Sequence, residues 1–309
     1  MTTSTAIPAA IGPADSGAPA PVPSTTLLRT LRRRRSSGPE RRSYAARLIV
    51  VIASCVVLLF PLYWMIVVAF SPREELLTRQ LRLWPQQFTL DNFDTVFSSF
   101  PIATWFGNSI AIAMVVTALT VSMNLLSGYA FAHLRFPGNN VTFLLTLSTL
   151  MLPVQVIMVS QFKLVTQLGI YGTYWAVILP SAATAFGIFL SRQFIIGIPR
   201  EIIEAARMDG AGAFRIFIQI VLPLCKPLIA VLVLLTFLST WNDFAWPLIA
   251  LKENQLFTLP IGLLFLQGQF GSDYGAIMAF ALLSVLPMIL LFVLFQRYFV
   301  QGFARSGIR

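Results

Sequence analysis

Glu204 is the residue in this 309-residue chain whose setting points most directly to chemistry. It opens the run Glu204-Ala205-Ala206, which is followed by Asp209-Gly210 and then by Ile220, Leu222 and Pro223. The segment therefore reads E-A-A-x₃-G-x₉-I-x-L-P. A carboxylate beside two alanines suits docking: the small side chains let another surface approach the backbone, and the charge can pair with a cation there. Catalytic groupings are missing from the sequence. It has no H-E-x-x-H, no G-x-S-x-G and no phosphate-cradling G-x-x-x-x-G-K-[ST]. The single histidine, His133, has no companion with which to hold a metal, and reads as interfacial packing. Cys55 and Cys225 belong to no C-x-x-C and read as small buried apolar residues. The chain is therefore read as a non-enzyme with no metal or cofactor of its own.

The segment around Glu204 has the local signals of a helix–glycine–helix hook. Pro199 suits the first position of a helix, where its missing N–H would be unsatisfied anyway. Arg200 to Asp209 holds helix formers without a breaker. Gly210 is suited to the left-handed conformation that ends a helix. A second short helix is expected from Ala213 to Val221, stopping at Pro223. An amphipathic helix lying on lipid would explain Ile202, Ile203 and the arginines. It would not explain the fixed spacing from Glu204 to Pro223.

The elements around the hook are apolar. Hydrophobic residues make up 57% of the chain and charged residues 11%, against about 25% charged in soluble domains. Six segments meet the length of roughly 20 apolar residues that a helical span needs: 48–70, 105–132, 141–162, 174–190, 224–249 and 275–298. With the N-terminus cytoplasmic, the inner segments hold 17 lysines and arginines and the outer ones the other five of the 22. The positive-inside rule thus puts both termini and the hook in the cytoplasm. Residues 1–47 read as a disordered basic tail and 301–309 as a short C-terminal tail. The cluster Arg32–Arg35 lies beside the first span, where anionic lipid rather than nucleic acid is the nearer partner.

Polar residues inside spans are expensive and mark candidate function. Asn124, Gln155, Gln161, Asn242 and Asp243 are the candidates for lining a transport cavity. Trp241, Phe244 and Trp246, beside Asp243, offer aromatic faces for a sugar ring. The plainer alternatives are a helix tie for the amides and Asp243 and an interface anchor for Trp246. Pro61, Pro153, Pro180 and Pro287 are expected to kink their helices by freeing carbonyls. Gly128, with Asn124 and Ser127, offers a small-residue face for close helix approach.

The segment Glu204–Pro223 resembles the EAA loop of bacterial ABC importer permeases. Further pieces extend the resemblance over residues 45–309: Ser71-Pro72-Arg73-Glu74-Glu75, Asn108-Ser109, Gly128-Tyr129-Ala130-Phe131-Ala132, Met151-Leu152-Pro153, Trp241-Asn242-Asp243-Phe244, Thr258-Leu259-Pro260 and Gln296–Gly302. The chain is similar to the second permease subunit of carbohydrate importers. The resemblance implies an all-α, six-span type I importer permease with a cytoplasmic coupling loop at 199–223. It implies docking on an ATPase through Glu204, Ala205, Ala206, Asp209, Gly210, Ile220, Leu222 and Pro223, with Arg305 and Arg309 of the tail reaching the same partner. It also implies a second, similar permease subunit, two ATPase subunits that hold ATP and Mg, and an extracytoplasmic binding protein that delivers a sugar or sugar derivative. The different class to weigh is a self-sufficient secondary transporter or channel. That class commonly shows charged relays within spans and repeated halves, whereas Asp243 is the one acid placed in a span here.

Overall fold

The computed structural model describes residues 38–76, 83–269 and 273–306. Within them the chain is helical, with no strand. The helices are α1 (Gly38–Ala69), α2 (Arg73–Leu76), α3 (Asp91–Ser99), α4 (Ile102–His133), α5 (Asn139–Ser148), α6 (Val154–Gln167), α7 (Tyr174–Ile178), α8 (Ala185–Ile196), α9 (Arg200–Met208), α10 (Ala213–Ile216), α11 (Leu222–Leu224), α12 (Lys226–Trp241), α13 (Ala245–Ala250), α14 (Leu259–Gln269) and α15 (Tyr274–Ser306). Four segments are long and apolar enough to cross a membrane unaided: Ser43–Ala69, Ile102–His133, Tyr174–Ile196 and Tyr274–Leu294. Two bent pairs bring the number to six if each pair is one span.

The ends and breaks differ from a simple six-rod picture. The first helix starts at Gly38, so residues 38–47 are helical rather than part of a disordered tail. Residues 1–37 lie outside the described ones. The last helix runs on to Ser306, so 301–306 continue it rather than form a separate tail. The expected third span is broken: Asn139–Met151 meets Val154–Gln167 at 109°. Leu152 is extended there (φ −86°, ψ 126°), because the ring of Pro153 disfavours helical geometry in the residue before it. The expected fifth span also breaks, at Asn242–Phe244 between α12 and α13. Pro61 and Pro287, by contrast, sit inside continuous helices.

Helix α4 organises the bundle. Ile102, Trp105, Ile112, Ala113 and Val116 belong to one buried cluster, and Val121, Leu125 and Tyr129 to a second. At the α4 N-terminal end, Trp105 Nε1 donates to the Asn254 carbonyl at 2.7 Å, and Asn108 Nδ2 donates to Gln255 and Phe257 carbonyls at 2.7 and 3.0 Å. Asn108 Oδ1 accepts from Tyr174 at 2.8 Å, and Ser109 Oγ accepts the Leu259 N–H at 2.8 Å. The Asn108-Ser109 pair thus holds the strap that leads into α14, and that strap contains a 3₁₀ turn at Asn254–Leu256. Helix α14 lies outside the six expected spans, because its 11 residues are too few to cross a membrane. Its signal was Thr258 followed by Pro260, a helix-start pattern.

Helices α4 and α8 meet through small and amide side chains. Asn124 is fully buried; its Oδ1 accepts the Thr184 N–H at 3.1 Å and its Nδ2 donates to Thr184 Oγ1 at 3.2 Å. Thr184 in turn caps α8 by accepting the Gly187 N–H. One turn along α4, a β-carbon at Gly128 would lie 2.9 Å from Arg192 N. Apolar surface gives no net drive between helices in lipid, so this close backbone packing and the amide bonds hold the pair together.

Candidate docking hook and transport path

The segment 199–224 folds as the expected hook. Pro199 stands at the N-cap position of α9, one place before the first helical residue rather than at it, and makes no side-chain capping bond. Helix α9 ends in a Schellman motif: Gly210 N–H donates to the Arg207 carbonyl at 3.0 Å and Ala211 N–H to the Ala206 carbonyl at 2.9 Å. Gly210 is left-handed, with φ 81°. Ala206 and Ala211, the two ends of that motif, both pack on the second buried cluster. The A-x₃-G part of the motif is therefore the spacing of a helix stop, with its hydrophobic closure built in.

The second arm differs from expectation. It does not stop at Pro223 but continues to Leu224 and turns by 80° at Cys225 into α12. Pro223 is accommodated because Phe217–Val221 widens into a π-helix immediately before it. The wider turn removes the demand for the N–H that proline lacks, and relieves its clash with the preceding turn. Cys225 is buried at this corner, whereas Cys55 is exposed rather than buried.

The hook has an anchored side and a free side. Ile203, Ile216, Phe217 and Val221 are buried against Val121, Leu125, Tyr129, Ile195, Leu228 and Leu232. Tyr129 Oη donates to the Ala213 carbonyl at 3.0 Å, and Arg207 donates to the His133 carbonyl at 3.1 Å. His133 lies half-buried against the Tyr129 ring. Facing outward are Glu204, Ala205, Met208 (88% exposed) and Phe214 (69% exposed). Glu204 has no ion pair among the described residues. A carboxylate, an alanine and two large apolar side chains held out on a rigid hook can receive a partner surface that carries a cation and an apolar recess.

Among the described residues no hydrogen bond joins the candidate path residues to one another. Asn124 is spent on Thr184, as above, and is a helix tie. Gln155 is exposed on α6 and Gln161 is half-buried there. Asn242 is exposed and bonds back to the Leu238 carbonyl at 2.9 Å. Asp243 is half-buried, and its Oδ1 accepts the Trp246 N–H at 3.4 Å, which caps the start of α13. Trp246 is no interface anchor: it is buried, and its Nε1 donates to the Ala176 carbonyl at 3.0 Å. Trp241 is likewise buried, stacked on Phe237 and bonded to the Ser284 carbonyl at 3.0 Å. Of the three aromatics expected beside Asp243, only Phe244 is exposed. Arg305 lies in the last turns of α15, and Arg309 falls outside the described residues.

A cluster at the end opposite the hook was not foreseen. Arg73 reaches Asp273 at 3.5 Å, and Asp273 Oδ1 caps α15 by accepting the Ala276 N–H at 3.2 Å. Asn92 ties the end of α1 by donating to the Ala69 and Ser71 carbonyls, each at 2.9 Å. Apart from the Asp273 cap, these partners stand 20 or more positions apart in sequence and leave no local pattern to read.

Known proteins are similar to this chain over much of its length. The family described as binding-protein-dependent transport system inner membrane component matches residues 124–305. The arabinooligosaccharides transport system permease protein AraQ of Halalkalibacterium halodurans is 39% identical over 256 residues, which is 82% of this chain and 92% of that protein. The sn-glycerol-3-phosphate transport system permease protein UgpE of Pectobacterium atrosepticum is 34% identical, over 80% of this chain and 91% of that one. A chain from a crystal structure of a bacterial ABC transporter involved in the import of alginate superposes with a TM-score of 0.78 at 21% identity, covering 85% of this chain and 98% of that one. The fold is the type I importer permease fold, and a self-sufficient transporter is set aside. The chain is a non-catalytic permease subunit belonging to the family of binding-protein-dependent transport system inner membrane components.

Proposed function

We propose that this chain is one of two similar permease subunits of a carbohydrate importer, moving a sugar or sugar derivative by alternating access. Two ATPase subunits, which hold ATP and Mg, bind at the hook. An extracytoplasmic binding protein delivers the substrate to the other end. Both termini and the hook face the cytoplasm, as the arginine and lysine distribution favours. The outward-held Glu204 is the observation on which the docking reading rests. The carbohydrate class rests on a relative named for arabinooligosaccharides; the relative named for sn-glycerol-3-phosphate widens the reading to polyol phosphates. Gln155, Gln161, Asn242 and Asp243 remain the candidates for contact with substrate. They lie at or near the broken spans, where freed backbone groups line cavities in transporters. Arg305 and Arg309 are proposed to reach the ATPase from the C-terminal end, and membrane lipid covers the exposed apolar face of α1.

Docking is tested by Glu204→Ala. A charge removed from a partly desolvated pair leaves its partner unpaired, at about 3–5 kcal/mol for a well-buried case. Uptake should be lost and the ATPase should no longer co-purify, while the permease still inserts. Wild-type co-purification and uptake would remove the assignment. The substrate class is tested by a thermal-shift screen of the cognate binding protein against mono-, di- and oligosaccharides and glycerol phosphates.

A further inference from the structure

Docking alone does not move a transporter; the hook must be tied to something that moves with it. Its two arms are gripped at the same end of α4 by bonds that reach across the sequence. Tyr129 holds Ala213, at the start of the second arm, and the carbonyl of His133 holds Arg207, on the first arm. The Tyr129 ring is buried and lies 5.4 Å from the Phe217 ring, on the π-helical segment of the hook. Helix α4 is unbroken for 32 residues. Its other end holds the strap before α14 through Trp105, Asn108 and Ser109. At about 1.5 Å per residue, Tyr129 and Trp105 stand roughly 36 Å apart on one rod.

We infer that Tyr129 and Arg207 are positioning residues that couple the hook to α4, so that displacement of the hook displaces the rod and the strap at its far end. This inference rests on the proposed docking of an ATPase at Glu204. The bonds have the right character for coupling rather than folding. The Ala213 carbonyl also accepts the Phe217 N–H, so loss of the tyrosine hydroxyl leaves no orphaned group there. The Arg207 bond is on the surface and is not needed to bury α9, which Ile203 anchors. Each bond links an arm to α4 without being part of either helix's own ladder. Removing both leaves the hook seated by apolar contact alone, free to shift on α4.

The test uses the whole importer in proteoliposomes with its binding protein, reading uptake and ATP hydrolysis in the same sample. The variants are Tyr129→Phe, Arg207→Gln, their combination, and Glu204→Ala. In the first three the ATPase is expected to co-purify as in wild type. Substrate transported per ATP hydrolysed should fall about fivefold in each single variant, one net hydrogen bond's worth, and further in the combination. Glu204→Ala should instead lose the ATPase. A wild-type ratio in the combined variant would overturn the inference, as would loss of assembly in Tyr129→Phe, which would make the hydroxyl a folding contact. If Glu204→Ala alone behaves as wild type, it is the docking reading that fails.

Discussion

Gly128 gives the sharpest test of the packing argument, because α4 carries its own control. A β-carbon at Gly128 would sit 2.9 Å from both the Ser191 carbonyl carbon and the Arg192 nitrogen, and closer still to Ser191 Cβ. Ordinary carbon contacts begin near 3.5 Å, so α8 would have to retreat by roughly 0.5–1 Å. Two of these atoms are backbone and the third is a β-carbon fixed to it, so none can rotate away. Overpacking of this kind costs about 1–3 kcal/mol, and the rigidity of the neighbour places Gly128→Ala toward the upper end. Helix propensity returns about 1 kcal/mol, for a net loss of about 2 kcal/mol. A retreat of α8 would also stretch the Asn124–Thr184 bonds one turn away. Gly107, on the same helix, has nothing within 4 Å of its β-carbon position, so Gly107→Ala keeps only the propensity gain. Thermal unfolding of the purified complex in detergent should rank Gly128→Ala below wild type and Gly107→Ala at or slightly above it. Adding Ser191→Gly should restore part of the loss, since it removes one of the obstructing atoms. A Gly128→Ala variant as stable as Gly107→Ala would refute the claim that α4 and α8 meet through their backbones.

Gly210→Val should be destabilising although the site is open, because its φ of 81° costs a branched residue about 1–2 kcal/mol or more; Gly210→Asn should be milder, and uptake at graded temperature will separate the two. Asn108→Ala should lower the melting temperature of the complex by the equivalent of about 2 kcal/mol, since it leaves the Gln255 carbonyl and the Tyr174 hydroxyl without their partner; an unchanged melting curve would show that the strap is held otherwise. In a cysteine-free background, a cysteine at Met208 should resist a membrane-impermeant thiol reagent in intact cells and one at Ser98 should label; the reverse pattern would invert the proposed topology. Asp243→Asn should keep assembly and most uptake if capping α13 is its main role, because an amide oxygen still accepts the Trp246 N–H; assembled complex with lost uptake would make the charge a substrate contact.

What could be read from sequence was local in its physics. The A-x₃-G spacing of the hook is legible because a Schellman stop closes within six residues, so Ala206, Gly210 and Ala211 announce it unaided. The spans are legible because lipid demands uninterrupted apolar length. The prolines were only half legible. Pro153 breaks its span, but Pro61 and Pro287 do not break theirs, and Pro223 sits inside a helical run that a π-turn has widened for it. The sequence shows the missing N–H; whether a break follows depends on how the surrounding turns and helices satisfy the freed carbonyl. Trp246 shows the same limit from another side. A tryptophan near a span end reads as an interface anchor until its partner is known, and that partner is the Ala176 carbonyl, 70 positions away. Asn124 and Asp243 share this ambiguity, since a buried amide or a half-buried carboxylate announces only that it needs a partner. Fold supplied one for Asn124 in Thr184, and a local one for Asp243 in the Trp246 N–H. Asp243 is only half-buried, and a carboxylate that accepts the Trp246 and Ala245 N–H groups still has lone pairs to offer, so it stays eligible for the transport path where the fully buried Asn124 does not.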